Sequence, residues 1–531
     1  MTDVFDVIVV GSGGGALTAA HLAAKAGLSV AVVEKTDLLG GTSAYSGGAC
    51  WLPGSAVQQR AGNPDSTESA RRYLEALLDG RAKDKVEAFL GHAPELVDAL
   101  EADDGFAFEW LPFPEYFDAP GRVPGGRSIQ PVKIRRDALP VEVAGLVRPP
   151  VESDRAGTAG RRTLTGGQAL IGRLLAMIVR DGGTVRTGHR VTALLTDGDR
   201  VAGVRAETAA GPVELRARRG VLLASGGFEG DQVQRDQHGV PGRAAWTMAP
   251  SGTNTGEPIR AAEAIGAATD LLDQGWFCPG PVQPDGRGSF ALGVRGGLIV
   301  DTTGSRYANE CLPYDRFGRQ MAAAPERIPS WFVFDSREGG RLPAIAMPEG
   351  DPEAHLAAGT WVRAATVPAL AAAIGVDPAR LTATVDRFNG FAAAGVDEDF
   401  GRGADEYDGF FAGETRSLTP LDAPPYYAAR FVLSDLGTKG GLVTDANGQV
   451  LRADGTAIDG LYATGNTTAS VMGPVYPAPG VPLGTAMVFA SLAVRHLCAA
   501  TDGGDPGTAD RLPGPPALSV GGEDRRAPGS R

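Results

Sequence analysis

The chain is poor in cysteine and histidine, carries no excess of positive charge and contains no long apolar run. Its four cysteines, Cys50, Cys278, Cys311 and Cys498, lie far apart with no C-x-x-C pair. That excludes a disulfide framework and a cysteine-based zinc site. The histidines, His21, His92, His189, His238, His355 and His496, form no metal-spaced cluster. The formal net charge is −13, and binding nucleic acid needs a basic surface, so that class of partner is excluded. Unbroken apolar stretches are too short to span a bilayer. Asp3 and Asp6 stand where a secretory signal carries basic residues, and a glycine run interrupts the first apolar stretch. The expectation is a cytoplasmic chain without an integral membrane segment.

What is present points to a large α/β protein. With 531 residues the chain exceeds one ordinary core, and 43% hydrophobic residues suffice to fill more than one. Phe5–Val10 reads as a buried parallel strand, Gly11–Gly15 as a glycine turn, Ala16–Ala26 as an alanine-rich helix and Ser29–Val33 as a second strand. This is a βαβ unit. Helical spacing recurs over Asp65–Leu78, Lys83–Leu100 and Gly167–Arg180. Val191–Leu195 and Val201–Arg205 flank a turn and predict a hairpin, continued by Val213–Ala217, with Val221–Ala224 as a separate buried strand. Residues 112–162 show no period and read as one long loop. Gly460–Thr464 predicts a strand and Gly484–Leu497 a helix, and residues 502–531 read as a disordered tail. Gly296–Asp301 and Gly440–Asp445 echo each other as two similar strand–turn units.

Gly11-Ser12-Gly13-Gly14-Gly15-Ala16 fits G-x-G-x-x-A, set between a strand and a helix and followed by Glu34 at the end of the next strand. In that context the pattern is a dinucleotide fingerprint rather than only a tight turn. The backbone can approach a pyrophosphate at the helix N-terminus, and Glu34 can accept from ribose hydroxyls while repelling a 2′-phosphate. Gly40-Gly41-Thr42-Ser43 follows where a flavin diphosphate would run. Tyr462-Ala463-Thr464-Gly465-Asn466 resembles the second FAD motif of glutathione-reductase-like flavoproteins, with Asn466 where an acidic residue often stands. These features predict non-covalent FAD. Lys35, Val191, Gly226 and Leu483 complete the candidate cofactor contacts. The helix near Gly484 suits the flavin edge that becomes negative on reduction, although an ordinary buried helix would read the same.

Met472–Gly480 is a proline-set loop that presents the Tyr476 phenol and the Gly480 N–H. Two rigid donors can hold one carbonyl oxygen and stabilise enolate character. A structural proline turn with Tyr476 in the core reads equally well from these residues. At this point a resemblance enters. The chain resembles the 3-ketosteroid Δ1-dehydrogenases over nearly its full length, in Phe5–Glu34, Thr163–Leu174, Gly296–Arg319, Leu436–Asp445 and Gly460–Val488. Leu312–Arg319 and Tyr476–Gly480 are its most specific stretches.

The resemblance implies that Tyr476 and the Gly480 N–H bind the C3 carbonyl oxygen and that Tyr314 removes a C2 proton. It also implies that Tyr116 assists Tyr314 and that flavin N5 takes the C1 hydride. Tyr116 would otherwise be an aromatic anchor of its loop. The implied fold is a Rossmann-like FAD-binding domain of the glutathione-reductase type, residues 1–274 and 432–501. An α+β catalytic domain, residues 275–431, is inserted in it. The implied partners are a 3-ketosteroid and an external electron acceptor such as a quinone. Trp276, Phe277, Phe290, Phe317 and Phe431 are candidates for lining a flat apolar cleft, though such residues are more often core. Three rival readings remain at this point. One is ketosteroid dehydrogenation at C4–C5. Another is a fumarate-type reductase using Arg402. The third is a flavin-binding module without catalysis.

Overall fold

The computed structural model describes residues 3–412 and 417–499; the expected tail, 502–531, lies outside them. The first strand, Asp3–Val10, is exposed at its start and buried from Val7 onward. It pairs in parallel with Val30–Val33 on one side and with Gly211–Leu223 on the other. Thr184–Arg186 extends the parallel array beyond Val30–Val33, and Ala457–Ala463 extends it beyond Gly211–Leu223. Gln449–Leu451 and the hairpin Arg190–Asp197 and Arg200–Thr208 complete an eight-stranded sheet. Apolar β-branched residues fill its centre because parallel strands are buried on both faces.

The two strands expected over 213–224 are one strand, Gly211–Leu223. Its pairing with the first strand shifts register between Phe5 and Val7, opposite Arg218 and Arg219. A bulge therefore seats two arginines inside a continuous strand and disguises it as two.

The helix Gly14–Lys25 packs against Gly166–Arg180 and Val481–Ala499. Gly15 permits the closer approach: a Cβ there would lie 2.9 Å from the Ala486 carbonyl oxygen. Val481–Ala499 starts three residues before the expected Gly484. With a mean hydropathy of 1.4 it is long and apolar enough to cross a membrane by length and composition only, and Gly484, Arg495 and His496 interrupt it, so it is not an unbroken apolar run. Here, 61% of that window is buried inside the protein, as in a core helix. Residues 112–162 are not one loop. They hold the short strands Ser128–Pro131 and Ile134–Arg135 and the helices Val141–Ala144 and Val151–Arg155. Elements of two to five residues are too short to show a period.

A second sheet runs in the order Gly280–Pro281, Tyr426–Val432, Ser330–Phe334, Leu298–Val300, with Trp361–Ala364 also on Tyr426–Val432. Its pairings are antiparallel. Period-two alternation divides its side chains. Phe332, Phe334 and Phe431 join the cluster that takes in Phe317 of the helix Tyr314–Ala322. Val333 and Ala428 pack with Leu381, Val385 and Phe388 of the helix Pro378–Ala394. The echoed segments are similar strand–turn units: the Asp301 carboxylate accepts from the Thr303 and Ser305 N–H groups, and the Asp445 carboxylate from Asn447 and Gln449.

Candidate active site

The glycine turn closes the carboxyl end of the first strand. Gly11 has φ +104°, and a Cβ there would lie 2.3 Å from the Ala224 carbonyl oxygen, so only glycine fits. The Gly14 N–H donates to Ser43 Oγ at 3.1 Å, joining the turn to the second glycine segment. Ser12 Oγ donates to Glu34 Oε2 at 2.6 Å and accepts from the Gly40 N–H at 3.0 Å. The other Glu34 oxygen accepts from the Thr36 N–H at 2.9 Å. Oε1 also accepts from the Thr36 hydroxyl at 3.0 Å, so Oε2 is the oxygen with a lone pair still to offer. Thr42 Oγ1 is buried without a hydrogen-bond partner.

These residues open on a cavity of about 310 Å³ that continues to Tyr314, Tyr476 and Gly480. Gly11, Gly13, Gly14, Gly15, Ala16, Glu34 and Lys35 line it, as do Gly41, Thr42 and Ser43. So do Val191, Gly226, Gly465, Asn466 and Leu483. Gly40 does not reach the wall; it supports it, at φ +112°, through Ser12. A narrow backbone cradle, an unpartnered threonine hydroxyl and a carboxylate at one end fit FAD, whose diphosphate accepts and whose ribose donates. Asn466 Oδ1 accepts from Trp276 Nε1 at 3.1 Å, so one of its groups is already committed.

Four hydrogen bonds anchor the Pro477–Gly480 half of the loop carrying Tyr476. The Tyr73 hydroxyl and the Tyr116 N–H donate to the Pro477 carbonyl at 2.8 and 2.9 Å. Ser128 Oγ donates to the Pro479 carbonyl at 2.7 Å and the Trp51 N–H to the Gly480 carbonyl at 3.0 Å. Gly480 itself has φ +85°. Glu115, next to Tyr116, is buried with Arg127 at 3.1 Å and accepts from Trp51 Nε1 at 3.0 Å.

Tyr314 stands at the start of its helix, after Pro313. Its hydroxyl donates to the Tyr476 hydroxyl at 3.1 Å. Tyr116 packs edge-on against both rings, at centroid distances of 5.3 and 5.2 Å. Tyr116 is off the cavity wall and its hydroxyl has no partner. Burial pushes all three phenols above their ordinary acidity range; the neighbouring tyrosines raise Tyr116 further, whereas Tyr476 and Tyr407 raise Tyr314 and Tyr116 lowers it. For Tyr476 the Tyr314 hydroxyl and the Gly480 amide act in the opposite direction.

The walls at the tyrosine end are apolar, with Leu111, Phe113, Phe290, Leu292, Met347 and Leu436. The wall cations Lys35 and Arg190 sit at the Glu34 end, each paired with Glu257. Of the aromatic candidates, Phe290 lines the cavity and meets Tyr314 edge-on at 4.8 Å. Trp276 lies behind Tyr476 at 4.8 Å. Phe277, Phe317 and Phe431 belong to the core. Arg402 is buried against Glu310 at 3.1 Å and donates to the Gly297 carbonyl, away from the cavity wall.

Sequence reading missed Tyr407, whose ring meets Tyr116 edge-on at 5.6 Å and whose buried hydroxyl has no partner. It missed Asn254 against Gly226 and the buried Lys439 behind Trp276. None of these sits in a local pattern; a fourth tyrosine near an acidic turn carries no signal of its own.

A family profile described as an FAD binding domain matches residues 6–483. The 3-oxosteroid 1-dehydrogenase of Rhodococcus opacus is 42% identical, over 93% of this chain and 99% of its own length. The 4-oxocyclohexanecarboxylate 2-dehydrogenase of Sinomonas cyclohexanicum is 35% identical over 95% of each chain. Among solved structures, the 3-ketosteroid Δ1-dehydrogenase of Sterolibacterium denitrificans in complex with 1,4-androstadiene-3,17-dione superposes with a TM-score of 0.86. It shares 33% identity over 94% of this chain and all of that one.

Proposed function

The chain belongs to the FAD-binding family of 3-ketosteroid Δ1-dehydrogenases, and from that premise we propose that it removes the C1 and C2 hydrogens of a 3-ketosteroid to leave a Δ1 double bond. The observation that carries this reading is the 3.1 Å contact between the Tyr314 and Tyr476 hydroxyls on the wall of a cavity continuous with the glycine cradle.

Bound FAD supplies the two-electron acceptor for the hydrogen that leaves C1 with its electron pair. The chain's own residues make that departure possible. Tyr476 Oη and the Gly480 N–H hold the C3 oxygen, where negative charge gathers as the C2 proton is lost. In a site walled by leucine and phenylalanine each donor counts for more than it would in water. Tyr314, which already meets Tyr476 at hydrogen-bond distance, accepts the C2 proton. Its burial makes it a strong base once ionised and makes ionisation costly. The unpartnered Tyr116 hydroxyl is the donor available to a Tyr314 phenolate.

Among the described residues no lysine or arginine lines the cavity wall at the tyrosine end, which favours a fused-ring ketone over a ketone bearing a carboxylate. We read the eight-stranded sheet as a Rossmann-like FAD-binding domain of the glutathione-reductase type, residues 1–274 and 432–501. We read 275–431 as an inserted α+β catalytic domain. The acceptor that reoxidises the flavin is an external one.

Anaerobic titration of the flavoprotein with 4-androstene-3,17-dione tests the reading. The flavin's visible band should bleach and the 1,4-diene should appear. Bleaching by 4-oxocyclohexanecarboxylate alone would overturn the steroid assignment. Unsaturation at C4–C5 in a 5α-saturated substrate, with C1–C2 left intact, would overturn the regiochemistry.

A further inference from the structure

Lys439 is a fully buried lysine that the chemistry above leaves without a task. It follows the strand Asp435–Thr438, and its side chain runs under the aromatic wall of the site. Its ammonium lies 4.3 Å from the Trp276 ring centroid and 5.8 Å from that of Tyr476. Nζ donates to the Pro474 carbonyl at 2.8 Å, two residues before Tyr476. It also meets Asp315 Oδ1 at 3.3 Å, one residue after Tyr314. One ammonium thus touches both segments that carry the paired phenols. Arg319 repeats the bridge from the helix side. Its Nε donates to Asp315 Oδ2 at 2.9 Å and its Nη2 to the same Pro474 carbonyl.

Burying a lysine costs several kcal/mol unless the site needs the charge or the donor geometry. Burial, helped by the neighbouring Arg319 charge, outweighs the upward pull of Asp315 and brings this ammonium down to about 7. An apolar residue of similar length would fill the space beneath Trp276 without that cost. What it could not do is hold the loop and the helix at one spacing. On the opposite side the Tyr476 loop is tied by Tyr73, Tyr116 and Ser128, and of these Tyr116 also reaches the helix of Tyr314, its carbonyl accepting from Arg316 Nη1 at 2.9 Å. Tyr116 bridges loop and helix at Pro477 and Arg316, and the Asp315–Lys439–Arg319–Pro474 cluster bridges them from the other side, directly beside Tyr314 and Tyr476.

We infer that Lys439 is a positioning residue for dehydrogenation, tethering the Pro474 carbonyl to the Asp315 carboxylate and so setting the distance of the Tyr476 hydroxyl from the Tyr314 hydroxyl. This rests on the ketosteroid reading above. Its consequence is specific. Loss of the tether loosens a geometry needed in the transition state while leaving the apolar walls that bind the ring system unchanged. It should therefore lower kcat more than it raises KM. Lys439→Met leaves Asp315 with Arg319 and with the Phe277 N–H at 3.1 Å, so the carboxylate is not orphaned.

The test measures kcat and KM per bound flavin with 4-androstene-3,17-dione and a dye acceptor. It compares the wild type, Lys439→Met and Lys439→Arg, each alone and in a Tyr476→Phe background. In the wild-type background Lys439→Met should lower kcat at least about tenfold with KM within about threefold, and Lys439→Arg should fall between it and the wild type. With Tyr476 already lacking its hydroxyl, either substitution should cost less than about twofold, because the tether then has nothing left to position. Unchanged kcat per flavin in Lys439→Met overturns the inference, as does an equal loss in both backgrounds. If Lys439→Met does not retain flavin, Lys439→Arg in the two backgrounds decides by the same comparison. A wild type that does not turn the steroid over would defeat the ketosteroid reading instead.

Discussion

Replacing Tyr476 by phenylalanine removes one oxygen from a ring that is 3% exposed and held by Tyr116, Tyr314 and Trp276. The ring volume stays, so no cavity forms and the damage is confined to hydrogen bonding. Tyr314 loses the acceptor at 3.1 Å, and leaving a buried hydroxyl unsatisfied costs about 1–3 kcal/mol. Against a typical stability of about 5–15 kcal/mol the variant should still fold and hold its flavin. The rate suffers more. The C3 oxygen keeps the Gly480 N–H and loses the phenol, and loss of one such donor costs about 10²–10³ in rate, or about 2.7–4 kcal/mol. The bond strengthens as charge moves onto the oxygen, so kcat should fall while KM changes little. Anaerobic stopped-flow mixing of the variant with 4-androstene-3,17-dione, followed at the flavin's visible band, measures the step directly. A bleaching rate within about tenfold of the wild type, at equal flavin content, would remove Tyr476 from the oxygen clamp.

Tyr314→Phe should leave FAD bound and the protein yellow while lowering the bleaching rate by about 10²–10⁴, the range of a general base; a smaller loss in the same stopped-flow trace would move the base elsewhere. Burial raises the Tyr314 phenol above its ordinary value, and the proton acceptor must be ionised to act. Its active fraction therefore grows as pH rises, and log kcat/KM should climb from about pH 6 to about pH 10. A flat profile over that range with chemistry rate-limiting would contradict this. Gly480→Ala places a Cβ 2.6 Å from the Ala49 carbonyl carbon at φ +85°. It should destabilise the fold by about 1–3 kcal/mol and displace the clamp amide, read by denaturant unfolding together with kcat.

Much of the cofactor end was legible because its elements are contiguous. Phe5–Glu34 carries strand, turn, helix and strand in order, and each is recognised from a few neighbouring residues. The strand Gly211–Leu223 was legible only in halves, because a bulge at Arg218 and Arg219 breaks the alternation on which strand reading depends. Residues 112–162 hid their short strands and helices for lack of length. Of the tyrosines, Tyr476 could be singled out by its proline-set loop, whereas Tyr314 and Tyr116 were reached only through resemblance. Tyr407 and Lys439 escaped both routes. Tyr407 meets Tyr116 across 291 positions, counted from their numbers, and Lys439 meets Asp315 across 124. No local pattern encodes a contact of that kind.

The glycine cradle, the carboxylate that closes the second strand and the stiff loop before the last helix were set by the order of residues alone. Backbone freedom and side-chain period are properties of neighbours in the chain. The convergence of two phenols on one cavity wall with a third behind them, and with a lysine bridging the segments of the first two, was decided only when the chain folded. Those groups are brought together by packing between distant segments, and packing is a property of the whole core.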